Sequence, residues 1–396
     1  MTYNYKMKTI RGKKTALVLS GGVVKAATWH IGVAHALEEL GFSFSNDNEN
    51  LSDYNIRDDL NISTYVGSSA GTLVNVYLAC GYSPTDIIDA FLNKKSAVLK
   101  PIGYPEMLKL NRNISLSSSG KTFSIFDSLP GPIRSILNPL VRFPGFFSTE
   151  GLKNYLESEI LRTKSFDDFK PDLFAIATQL DHSRKVIFSK YNYPNPRHDS
   201  TATYYKNVSI ADACAASMSV PPMYAPYPIF NKFTGQTDYY IDGEIRETLS
   251  THVAEDNGCE VIISSWTHTP YHFQKEIGSL HNYGIPSIVL QALYLMIQKK
   301  IVASRARRNL AKDIIETVND YLAKEKVSIS LRKNITAILE RKLNFNPDIQ
   351  YIDIYPEHED VETFFSNHFT LNPRTLSHVM KAGYKRTMEV FKQYDL

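Results

Sequence analysis

Apolar positions fall in two rhythms along the first 81 residues. Ala16-Leu17-Val18-Leu19 is an unbroken apolar run that stops at Ser20-Gly21-Gly22, which suits a strand buried on both faces. From about Val24 to Leu40 the rhythm changes to three- and four-residue spacing, with Trp29, Val33, Leu37 and Leu40 on one helical face and Gly41 at the stop. Residues 43–61 are rich in Ser, Asn and Asp and read as a surface loop. The two rhythms then repeat. Ile62 to Val66 predicts a strand running into Gly67-Ser68-Ser69-Ala70-Gly71, and Thr72 to Cys80 predicts a helix closed by Gly81. Strand, glycine turn and helix, twice in succession, predict an α/β fold with a mostly parallel sheet.

Farther along, residues 82–146 carry loop signals at Ser115 to Gly120 and Leu129-Pro130-Gly131-Pro132, and are expected to form a cap insertion. Helices are expected at 148–161, 210–218, 248–257, 327–345 and 372–393, with one or two more over 288–311. Strands are expected at 173–178, 185–189, 239–241, 260–266 and 349–354, and a loop at 191–205. No linker divides the chain. One domain is expected over 14–396, behind a flexible tail at 1–13.

Charge changes the picture by exclusion. Lys and Arg number 44 against 41 Asp and Glu in 396 residues, too balanced for a surface that binds nucleic acid through a broad basic field. The three cysteines, Cys80, Cys214 and Cys259, are far apart in sequence, and neither a zinc spacing nor CxxC occurs, so a reducing compartment and no metal are expected. The first 14 residues are polar and basic, without the apolar core of a secretory signal. The longest apolar run, 285–297, is short of the ~20 residues that cross a bilayer. A cytoplasmic or membrane-peripheral location is expected, with export lacking a classical signal left open.

Three segments could carry chemistry. Gly67-Ser68-Ser69-Ala70-Gly71 is G-x-S-x-G between a strand and a helix, the setting of a nucleophile elbow that pushes Ser69 out of a sharp turn. Read blandly, it is a turn containing Gly and Ser. Ser20-Gly21-Gly22-Val23-Val24-Lys25 closes one strand and opens a helix; it suits backbone donors to an oxyanion, or simply a turn that needs glycine. The phosphate-loop pattern is absent. Asp242-Gly243 ends a short apolar run, where the carboxylate either faces a cleft or initiates a turn.

In this order, Leu17 to Gly22, then Tyr65 to Gly71, then Tyr240-Ile241-Asp242-Gly243-Glu244 resemble the patatin-like phospholipases, with weaker likenesses over roughly residues 14–392. The resemblance implies a three-layer α/β/α sandwich. It implies a serine lipid acyl hydrolase of phospholipase A or lysophospholipase type, acting on phospholipid or another acyl lipid without a cofactor. Ser69 would be the nucleophile and Asp242 the base of a dyad. Gly21, Gly22 and Val23 would form the oxyanion hole, with Lys25, Gly67, Gly71 and Gly243 completing the motifs. The same acyl-enzyme could pass its acyl group to another alcohol.

Three positions depart from the family pattern. Val23 and Ala26 replace glycines, and Glu244 places a second carboxylate after Asp242. A β-branched residue resists positive φ, so Val23 is expected at negative φ in a turn bent to suit it. Val23 and Ala26 also motivate a rival reading, a weakened scaffold that binds lipid or a protein partner. His252, His268, His272 and His281 follow Asp242 in the order of a Ser–Asp–His triad, His268 best placed, whereas His30 and His35 read as packing or surface residues. Lys299, Lys300, Arg305, Arg307, Arg308 and Lys312 form a basic run without an acid. It is either a solvated face or a contact to an anionic membrane, each charge there worth about 1 kcal/mol.

Overall fold

The computed structural model describes residues 9–48, 58–111, 144–193, 202–232, 234–357, 369–394 and 396. Twelve strands occur among them: β1 (Thr15–Leu19), β2 (Ser43–Phe44), β3 (Asn61–Ser68), β4 (Lys109–Leu110), β5 (Phe147–Ser148), β6 (Asp172–Gln179), β7 (Arg184–Phe188), β8 (Ala202–Tyr205), β9 (Tyr227–Asn231), β10 (Gln236–Asp242), β11 (Val261–Ser265) and β12 (Gln350–Ile354). The helices are α1 (Val23–Glu39), α2 (Ala70–Ala79), α3 (Pro84–Phe91), α4 (Tyr104–Met107), α5 (Glu150–Tyr155), α6 (Ile210–Ser217), α7 (Thr251–Asp256), α8 (Gly284–Lys324), α9 (Ile329–Leu343) and α10 (Pro373–Phe391).

The main sheet runs β12-β11-β1-β3-β6-β10-β9. Its first five strands are parallel, while β10 lies antiparallel to β6 and β9 antiparallel to β10. All five residues of β1 are buried, as its unbroken apolar run requires. Successive side chains serve opposite faces. Leu17 and Leu19 join the core beneath α1, α2 and α10, while Ala16 and Val18 join a smaller core with Val253 and Ala254 of α7. Helices thus cover both faces, giving the expected three-layer α/β/α arrangement. The tightest helix contact is glycine to backbone. A Cβ on Gly32 of α1 would meet the Met380 carbonyl of α10 at 2.0 Å, and one on Gly383 would meet the Trp29 carbonyl at 2.4 Å.

Several expectations are corrected. The loop read over 191–205 ends in β8, which pairs with β7, because Ala202 and Tyr204 point into the smaller core. The hairpin β9–β10 begins before the expected 239–241, along residues whose alternating exposure marks a sheet edge. Over 288–311, where one or two helices were expected, one helix is found, and it extends past both ends to 41 residues. The middle of the expected cap, 112–143, and most of the tail lie outside the described residues. The described flank of that cap supplies α3 and α4, which pack onto the core through Phe91 and Met107.

Candidate active site

Strand register brings the three motifs together. Leu19 of β1 pairs with Gly67 of β3, and Ser68 pairs with Ile176 of β6. Asp242 at the end of antiparallel β10 pairs with Ala177, the next residue along β6. Ser69 and Asp242 therefore approach each other across β6, at the carboxyl ends of the parallel strands, where open α/β sheets place their sites.

Ser69 sits between β3 and α2 with φ 51° and ψ −123°, a strained turn for a residue other than glycine. Two close approaches force this shape. A Cβ on Gly67 would lie 2.5 Å from the Thr72 backbone, and one on Gly71 would lie 2.3 Å from the Leu19 carbonyl. The Ser69 N–H donates to Ser217 Oγ at 2.9 Å, and Ser217 Oγ in turn donates to the Ile176 carbonyl at 2.6 Å. Sequence reasoning missed Ser217. It lies in an ordinary small-residue helix, and only the tertiary contact distinguishes it.

Asp242 is buried; its carboxylate accepts the Glu244 N–H at 2.9 Å and lies close to the Ser69 hydroxyl. Burial pushes it up to about 6, against the pull of those two groups. A carboxylate near 6 is a far better base than an exposed aspartate and is still ionised at pH 7. Gly243 follows with no room for a side chain: a Cβ there would meet the Ile176 carbonyl at 2.4 Å and Ser68 Oγ at 2.6 Å.

The glycine-rich turn lies against the elbow. A Cβ on Gly21 would sit 2.8 Å from Ser69 Cβ. The Gly21 N–H, expected as an oxyanion donor, is already committed, donating to Glu244 Oε1 at 2.7 Å. Gly22 has φ 128°. Val23, expected at negative φ, instead has φ 58°. The route from β1 into α1 keeps a left-handed step, and Val23 absorbs the strain, about 1–2 kcal/mol for an L-residue. Lys25 is buried. Its ammonium donates to Tyr294 Oη of α8 at 2.6 Å and lies 4.9 Å from the ring centre.

The histidines stand apart from this chemistry. Among the described residues none is hydrogen-bonded to Ser69 or Asp242. Burial, then the Lys25 and His30 charges, hold His268 down at about 3, and its ring meets Tyr294 edge-on at 5.2 Å. His30 is buried, held by the Ser20 carbonyl and Ser265 Oγ. His252 belongs to a separate buried cluster with Lys185 and Glu247. Among the described residues no group of three or more His, Cys, Asp or Glu gathers to hold a metal.

Beside Ser69 opens a narrow pocket walled by Val23, Leu73, Phe91, Met107, Leu152 and Met218. Ser69 and Tyr224 are its polar members, and the rest of its lining is apolar. Ser69 on a strand–turn–helix elbow and the buried Asp242 from a distant strand end thus lie side by side at one end of the pocket. A family model described as patatin-like phospholipase matches residues 17–255, more than half of the chain. The chain belongs to the patatin-like phospholipase family. None of the curated proteins matches it. For this patatin-like protein, lipid acyl hydrolysis is thereby supported at the level of the family. The match is shorter than the expected 14–392, yet β11 and β12, beyond its end, continue the same parallel sheet beside β1.

Proposed function

We propose that this protein is a serine acyl hydrolase of phospholipase A or lysophospholipase type, working through a Ser69–Asp242 dyad. The observation that carries the reading is the placement of the Ser69 elbow beside the buried Asp242 carboxylate, at the mouth of an apolar pocket. The acyl chain enters the pocket and presents its ester carbonyl to Ser69 Oγ. As Oγ attacks, its proton passes to Asp242, and the carbonyl oxygen takes up the negative charge against the Gly22 and Val23 amides. Collapse of the intermediate breaks the ester C–O bond, and Asp242 gives its proton to the departing alcohol. Water then attacks the acyl-enzyme, losing a proton to Asp242, and release of the fatty acid returns that proton to Ser69. With the base near 6, kcat/KM on a soluble ester should fall as pH drops through about 6, because a protonated Asp242 cannot accept the serine proton. A fluorophosphonate probe tests the reading directly. Labelling of wild type and not of Ser69→Ala supports it, and failure of wild type to label favours the weakened scaffold.

The substrate side of the reading includes a peripheral contact with anionic lipid through α8. No helix among the described residues is long and apolar enough to cross a membrane. The first turns of α8 nonetheless expose Ile285, Ile288, Val289 and Met296, which helical spacing puts on one face, opposite the buried Tyr294. Lys299 and Arg307 continue that face and are exposed. The rest of the basic run is partly internal. Lys300 donates to the Ile245 carbonyl, Arg305 pairs with Asp353 at 3.2 Å, and Arg308 lies 4.2 Å over the Tyr351 ring. An apolar face continued by cations complements an anionic bilayer surface.

A further inference from the structure

Glu244 has two unrelated attachments. Its N–H donates to Asp242 Oδ1 at 2.9 Å, and its side chain reaches back across the site to accept the Gly21 N–H at 2.7 Å. The contact is close: a Cβ on Gly21 would fall 2.6 Å from Glu244 Cγ, with Ser69 on the other side. Glu244 is buried, and its second oxygen makes no hydrogen bond, nor do the Ser68 and Thr248 hydroxyls near it. A side chain that merely filled this space would need no carboxyl. We propose that Glu244 is a positioning residue: it ties the Gly21–Val23 turn to Asp242, so that the oxyanion donors and the base are held in one register around Ser69. The kinetic consequence rests on the hydrolase reading; the contact itself does not.

The groups facing Glu244 are few. Asp242 comes from the end of β10, Ser68 from the elbow, Thr248 from the loop before α7, and the Gly21 N–H from the turn after β1. Asp242 is the charged one. Burial, then that neighbouring charge, push Glu244 up to about 8. At pH 7 it is neutral and can hold Gly21 without placing a second anion behind the turn. Above about 8 it ionises, and the added charge opposes the oxyanion, so turnover should decline there.

The test compares Glu244→Ala and Glu244→Gln with wild type on p-nitrophenyl butyrate, and follows exchange of the Gly21 amide hydrogen. Glu244→Ala should lose about ten- to a hundredfold in kcat, with KM changed far less, as misplaced groups do. Its Gly21 amide should exchange about tenfold faster or more, having lost a buried partner. Glu244→Gln keeps an acceptor oxygen and cannot ionise. It should recover about tenfold over the alanine variant, slow the Gly21 exchange again and lack the alkaline decline. The proposal is overturned if Glu244→Ala matches wild type in kcat or in Gly21 exchange, or if Glu244→Gln keeps the alkaline decline. Should the alanine variant not fold, the glutamine pH profile and Gly21 exchange decide. Should wild type cleave no ester, the hydrolase reading fails on its own, and Gly21 exchange alone decides the contact.

Discussion

Two strand–turn–helix units stand side by side, β1 into α1 and β3 into α2, and both turn on a residue other than glycine in the left-handed region. Ser69 has φ 51° and Val23 φ 58°. Both strands end in register, so both turns must bring a helix start over the same point. In the elbow the strain falls on Ser69, the proposed nucleophile, and its backbone N–H is anchored to Ser217. In the glycine-rich turn it falls on a β-branched residue that geometry disfavours, held from behind by Glu244 through Gly21 and from the far side by Lys25 on Tyr294. The shared demand is the backbone path. What differs is the side chain each carries there: a hydroxyl beside Asp242 in one, and a wall of the apolar pocket in the other.

The largest effects should come from the elbow. Ser69→Ala and Asp242→Asn should each lower kcat on a soluble ester by ~10⁴ or more with Tm little changed, and the double variant should lose little beyond either single, since both disable the same proton-coupled attack. Near-wild-type turnover by Asp242→Asn would remove the base from the mechanism and leave the two turns chemically equivalent.

The next effect belongs to the other turn. Gly21→Ala has nowhere to put its methyl, with Glu244 Cγ at 2.6 Å and Ser69 Cβ at 2.8 Å. Displacing the turn should cost about a hundredfold in kcat, read in the same assay. A wild-type rate would mean that the turn and the elbow are not held together as described.

A smaller effect should appear only on lipid surfaces. Ile288→Glu with Met296→Glu, on the exposed face of α8, should reduce hydrolysis of anionic vesicles about tenfold while soluble-ester turnover persists, because burial of two large apolar side chains is lost. The first turn, through Lys25 and Tyr294, touches this helix. Equal losses on both substrates would mean that the helix acts through that contact and not through the membrane.

The sequence made the elbow legible because its information is local: a strand, G-x-S-x-G and a helix occupy consecutive residues. Asp242, at the end of an apolar run, read as either a cleft residue or a turn residue, and only the family resemblance singled it out. The sign of φ at Val23 was not legible. Val alone argues for negative φ, and the left-handed step is imposed by where α1 must start over β1. Glu244 was visible as a second carboxylate, but its hold on Gly21 joins residues 223 apart in sequence, which no spacing reveals. Ser217 and the pairing of β8 were hidden for the same reason: each is decided by a tertiary neighbour.

The smallest effect separates two adjacent valines. Val23 has φ 58°; Val24, the next residue of α1, is buried and is not among the positive-φ residues. Replacing Val24 by glycine removes a core side chain and loosens a helix, which should destabilise by roughly 2–4 kcal/mol. Replacing Val23 by glycine also loses apolar contact, and it frees the unfolded chain by ~0.4–1 kcal/mol. Against these losses it relieves a left-handed strain of about 1–2 kcal/mol, which Val24 does not carry. Val23→Gly should therefore stay within about 1 kcal/mol of wild type in urea denaturation, well above Val24→Gly. Equal losses at the two positions would show that Val23 does not bear the left-handed step in solution. The two turns would then differ in backbone path as well as in side chain, and the strain would belong to Ser69 alone.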